Sequence, residues 1–140
     1  MSPARRVKTR TEQCTPEQAQ KRLADARKFL ELAELASEES DATSFNVAAA
    51  NAALAGIAAA DAACCRTLGE RSRGEDHRDA IELVAQVSPG GSEAAKALRR
   101  LLALKNNAEY GLTGISRAKR EAALRQARKL VEFAEGVLRR

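Results

Sequence analysis

Apolar residues return at three-and-four spacing along most of this chain, the signature of helices that bury one face. Thr15 reads as an N-cap, with Pro16 in the first turn and Gln18 completing a capping box. Leu23, Ala26, Leu30, Ala33 and Leu35 then form a stripe that predicts a first helix ending near Ala36. The polar, acidic stretch Ser37 to Asp41 is a turn, after which Thr43 or Ser44 caps a long second helix running to about Leu68. Gly69 closes that helix.

A charged loop reaches Gly74, and Glu75 or Asp76 opens a short third helix whose buried side is Ala80, Ile81, Leu83, Val84 and Val87. Ser88, Pro89, Gly90 and Gly91 break it, and Ser92 caps a fourth helix carrying Ala95, Leu98, Leu101, Leu102 and Leu104. Tyr110, Gly111 and Gly114 mark the next loop. Ser116 then begins a last helix with Ala118, Ala122, Ala127, Leu130, Val131, Ala134 and Val137 on one face. The fold class predicted is all-α, an up-and-down bundle of four principal helices plus a short fifth. Residues 1–14 lack periodicity and are expected as a flexible basic tail, leaving 15–140 as a single domain.

One residue interrupts this order. Asp61 sits in the apolar stripe Leu54, Ile57, Ala58, Asp61, Cys64, Cys65 and Leu68 of the second helix. A carboxylate drawn inside a protein needs pairing and hydrogen bonds. The chain has a single histidine, His77, just beyond that helix, so Asp61 and His77 are the expected pair, with Tyr110 or an arginine of the last helix as other partners.

Composition narrows the setting. Only four residues are aromatic, and alanine and leucine dominate a chain that is 44% hydrophobic with no apolar run read as a membrane span. Three cysteines are an odd count, and Cys64 and Cys65 are neighbours whose side chains diverge on a helix. They are read as small core residues of a cytoplasmic protein without disulfides. The lone histidine and adjacent cysteines supply no zinc set, and the Gly90–Gly91 pair lacks the residues of a phosphate loop, so no metal or cofactor is expected. The net charge is +5, gathered at the two ends: Arg5, Arg6, Lys8 and Arg10, then the run from Arg117 to Arg140. The middle is acidic. Such asymmetry permits contact with RNA or an acidic protein, although helix surfaces carry Arg and Lys for solubility as a rule.

In element order and in three segments the chain resembles the HEPN superfamily of small helical bundles. The segments are AAADAACC around Asp61, DHRDAIELV with His77, and LKNNAEYG from Leu104 to Gly111 leading into SRAKREAALRQARKLVEFAEGVL. The likeness spans residues from about 15 to 138. It implies a homodimer, with a nucleotidyltransferase or an antitoxin as protein partner in toxin-antitoxin or defence systems, and RNA as a possible ligand. HEPN ribonucleases cleave RNA without metal, using an arginine, a polar residue and a histidine four to six positions on. The matching place here reads Lys105, Asn106, Asn107, Ala108, Glu109, Tyr110, with lysine for arginine and no histidine. Lysine lacks the planar fork of arginine, and neither Glu109 nor Tyr110 exchanges a proton near neutral pH as imidazole does.

The resemblance therefore implies a catalytically silent binding module. A second match to the spacing, Arg71 with Ser72 and His77, gives the alternative of a metal-independent RNase toxin with Arg71 and His77 as catalytic pair. A third reading is nucleic-acid binding without catalysis, with Lys105, Asn106, Arg117, Arg120 and Arg128 as phosphate contacts.

Overall fold

A computed structural model describes residues 10–73, 77–110 and 115–140, the stretch 107–110 by backbone alone. Five helices and one two-stranded ribbon make up the described chain: β1 (Thr11–Gln13), α1 (Pro16–Ser37), α2 (Ala42–Leu68), β2 (Glu70–Ser72), α3 (Arg78–Val84), α4 (Gly91–Tyr110) and α5 (Arg117–Leu138). The class is all-α, as the periodicity predicts. Thr15 closes the expected capping box with Gln18, Gly69 ends α2 at φ 73°, and the Ser116 hydroxyl accepts from the Lys119 amide at the start of α5.

α2 is the axle of the bundle. It packs against α1, α3, α4 and α5, and its wall of Ala52, Ala53, Ala55, Ala58, Ala59, Ala62 and Ala63 is buried throughout. Small side chains let neighbouring backbones come close. One such close place is Gly56, where a Cβ would run into the δ-methyls of Leu101 in α4 and Leu130 in α5. Residues α1 and α5 share a second seam: Arg27 Nε lies 2.8 Å from Glu135 Oε2, and Arg128 Nη2 lies 3.0 Å from Glu34 Oε2, so these helices run antiparallel. The core is filled by Leu98, Leu101, Leu130, Val84, Val87 and Val137. α2 is also long and apolar enough to cross a membrane by length and composition, contrary to the expectation of no such run, but most of that surface is covered by the other helices.

Several expected details differ. Asp41, not Thr43 or Ser44, caps α2: its carboxylate accepts from the Ser44 amide and hydroxyl at 2.8 Å each, an acceptor stronger than a hydroxyl at that position. Those bonds hold the Asp41 carboxyl below the usual aspartate value. α4 begins at Gly91, one residue before the expected cap Ser92, and runs on to Tyr110 through Lys105 and Asn106, where polar residues suggested its end. No proline or glycine interrupts it there. Leu35 and Leu54 are exposed although the stripe was expected to bury them, and Ala118 faces outward on α5.

The largest correction concerns the amino terminus. Arg10 to Cys14 is part of the fold, and Thr11–Gln13 pairs antiparallel with β2 in the register Thr11↔Ser72, Glu12↔Arg71, Gln13↔Glu70. Two further bonds bracket the ladder, Arg73 N–H to the Arg10 carbonyl and Cys14 N–H to the Gly69 carbonyl, both at 3.0 Å. Strands of three residues leave too little alternation to read from sequence. A disulfide joins Cys14 to Cys65, with Cα atoms 5.5 Å apart, against the expectation of free thiols; Cys64 alone is free, and buried. Residues 1–9 of the expected tail and the proposed openings of α3 at Glu75 or Asp76 lie outside the described residues.

Candidate functional site

Asp61 is 4% exposed. It lies on α2 one helical turn before Cys65, so the ribbon that the disulfide pins to α2 passes over it. Two arginines reach it: Arg22 Nε donates to Oδ2 at 3.1 Å from α1, and Arg71 Nη1 donates to the same oxygen at 3.3 Å from β2. Each has a second carboxylate. Arg22 Nη1 lies 3.4 Å from Asp25 Oδ2, and Arg71 Nε donates to Glu12 Oε1 at 2.6 Å across the ribbon. The Glu12 and Arg71 side chains meet because their residues are directly opposed in the ladder.

Local structure explains each position. α1 and α2 form an antiparallel hairpin about the turn at Ser37–Asp41, which brings the early part of α1 beside the late part of α2. Arg22 borders the buried stripe of Leu23 and Ala26, and its long stem spans the remaining gap. The left-handed Gly69 then reverses the chain, so β2 folds back and returns Arg71 to Asp61 ten residues later.

Burial governs the charge state of this cluster. Desolvation pushes the Asp61 carboxyl above the ordinary aspartate value of 3.8, and Arg22 and Arg71 offset only part of it. That direction agrees with the geometry, since both contacts end on Oδ2 and both cations are shared with other acids. Burial pulls Arg71 down, but the hydrogen bond to Glu12 and the charge of Asp61 outweigh it and leave the guanidinium still harder to deprotonate. Lys21, 2.7 Å from Asp25, holds the Asp25 carboxyl below its usual value. The Cys64 thiol is pushed up to about 12 by burial and then by Asp61 and Glu70, so it stays protonated and unreactive.

A cleft of about 270 Å³ opens over the cluster, lined by Arg22, Asp61, Arg71, Arg73 and His77. A second, of about 430 Å³, shares Glu12, Arg22 and Arg71 with it and reaches the Cys14–Cys65 bond. Arg71 and His77 thus border one space. His77 occupies the N-cap position of α3 without a side-chain capping bond, and among the described residues it makes no hydrogen bond to Asp61. The expected Asp61–His77 pair is replaced by two arginines, because the ribbon and α1 cover the carboxylate first. Among the described residues no three His, Cys, Asp or Glu side chains converge as a metal set requires.

The other expected residues are dispersed. Arg120 is 6% exposed: its guanidinium donates from Nη1 to the Ser37 carbonyl at the end of α1 and lies 4.5 Å from the Phe45 ring centroid. It closes a helix C-terminus. Arg117 lies over the same ring, 5.7 Å from that centroid, and Arg128 is held by Glu34. Lys105 is half-buried and Asn106 exposed on α4. The side chain of Tyr110, and with it the expected contact to Asp61, lies outside the described residues. Sequence reasoning missed Arg22, Glu12 and the Cys14–Cys65 bond. Register counting along the α1–α2 hairpin could have found Arg22, whereas the other two depend on a ribbon too short to carry a pattern.

Comparison with family models, with curated proteins and with solved structures finds no match to this chain.

Proposed function

We propose that this chain is a catalytically silent, HEPN-like binding module that acts as a homodimer, with a nucleotidyltransferase or an antitoxin as the class of protein partner. One observation supports it above the rest: Arg71, the arginine a nuclease reading needs, is occupied by Glu12 and Asp61. A guanidinium whose fork is filled by carboxylates in the same chain has little left for a scissile phosphate. Exposed Leu32 and Leu35 on α1 and Val47 and Leu54 on α2 supply apolar surface of the kind that self-association buries. Light scattering after size exclusion tests the dimer. A mass of two chains that falls to one in Leu32→Glu/Val47→Glu supports the reading, and a strict monomer at high concentration removes it.

The alternative of a metal-independent RNase is favoured by one specific fact, the shared cleft of Arg71 and His77. It requires RNA cleavage in chelator by the wild type and none by His77→Ala. Equal activity in both, or none in either, disposes of it. Nucleic-acid binding by α5 has lost two of its anchors to internal bonds, Arg120 to Ser37 and Arg128 to Glu34. The cytoplasmic placement belongs to this reading too, and there a disulfide is a transient, regulatory bond as a rule.

A further inference from the structure

We propose that the Cys14–Cys65 disulfide is a redox latch that keeps β1 clamped over the Asp61–Arg71 cluster, and that a dithiol reductant opens the cleft without unfolding the bundle. The physiological use of the latch rests on the cytoplasmic placement above; the latch itself rests only on the fold.

Three features carry it. First, apart from the bond β1 is held by a short ladder and the Glu12–Arg71 pair, and a three-residue strand in a two-stranded ribbon is marginal in water by itself. The bond fastens that strand to α2, which packs against α1, α3, α4 and α5. Second, β1 carries Glu12, which takes the Nε side of the Arg71 guanidinium. When the strand leaves, Arg71 keeps Asp61 alone, and the wall of the cleft that Glu12 supplies is gone. Third, Cys14 and Cys65 line a cleft that also holds Lys21, Arg22 and Arg71. Cations there favour an incoming thiolate and a departing one.

The chemistry balances with a dithiol as electron donor. Its thiolate attacks Sγ of Cys14, the half-buried member, forming a mixed disulfide and expelling Cys65 as thiolate. The donor's second thiolate then attacks its own sulfur in that mixed disulfide and releases Cys14. The donor ends as a disulfide, and its two protons pass to Cys14 and Cys65. Cys64, adjacent in sequence, is buried and held protonated, so it does not scramble the pair and the latch recloses as it was.

The experiment uses the full chain, oxidised and after dithiothreitol. Thiol counting in denaturant comes first: one thiol in the oxidised protein and three in the reduced is required, and three in both overturns the latch. Hydrogen exchange read by mass spectrometry follows. The expected result is loss of protection at amides 10–14 and 70–73, faster than can be accounted for by global unfolding, with α4 and α5 still strongly protected. Cys14→Ser reproduces that pattern without reductant, and Cys64→Ser leaves the oxidised pattern intact. Unchanged exchange at 10–14 overturns the proposal, and so does loss of protection at α4 and α5 to the same level as at 10–14, which makes the bond a staple of the whole fold. Neither readout involves RNA or dimer mass, so it stands or fails apart from the proposed function.

Discussion

Two buried charges show how residue-scale energetics divides structure from chemistry. Asp61 is withdrawn from water by the helices around it, and its two arginines do not fully repay that desolvation. The folded chain therefore binds the Asp61 proton more tightly than the unfolded chain. The stability contributed in this way is fully present below the ordinary aspartate value and is lost as pH rises through the raised folded value. Asp61→Asn removes that slope. Because Arg22 keeps Asp25 and Arg71 keeps Glu12, the substitution is expected to change stability at neutral pH by no more than about 1 kcal/mol. Urea denaturation of both proteins across pH checks the sign. Arg120 is the opposite case, since its removal leaves the Ser37 carbonyl without its cap and a gap beside Phe45. Arg120→Ala is expected to cost roughly 2–3 kcal/mol in the same assay.

At the scale of elements, the helices were readable because each carries its own period and punctuation: Thr15 with Gln18, Gly69, and Ser116 stand where the pattern places them. The ribbon was not readable, because three-residue strands have no period and their pairing depends on where α2 leaves the chain. Cys14 illustrates the cost. Assigned to a tail, it had no partner, and the adjacency of Cys64 and Cys65 hid that one of them faces the ribbon. The bond joins residues 51 apart in sequence, a closure worth about 4 kcal/mol of chain entropy in the unfolded state. Cys14→Ser is expected to lower the denaturation free energy toward that amount while α4 and α5 stay folded. The α2 axle makes a sharper demand at Gly56, where Gly56→Val forces Leu101 and Leu130 aside and is expected to lose roughly 2–3 kcal/mol in thermal or urea unfolding.

For the whole molecule, the all-α bundle and the burial of Asp61 were legible in sequence, and the identity of the groups satisfying Asp61 was not. The obstacle is physical: a periodic stripe says that a side chain is inside, while its neighbours are set by hairpin register and by a chain reversal at Gly69. His77, the single histidine, is the partner the sequence suggests, yet Arg22, thirty-nine residues away, and Arg71, ten residues away, are the groups in contact. The proposed silence of the cleft as a nuclease depends on Asp61 being a desolvated hub between two arginines. Carbon-13 NMR titration of the Asp61 carboxyl in the oxidised protein reads that state directly. A midpoint above the ordinary 3.8 is predicted, with a further change in the midpoint when Arg71→Ala withdraws one cation. A midpoint at or below 3.8 that ignores Arg71→Ala would contradict the account, because it describes a solvated carboxylate that organises nothing.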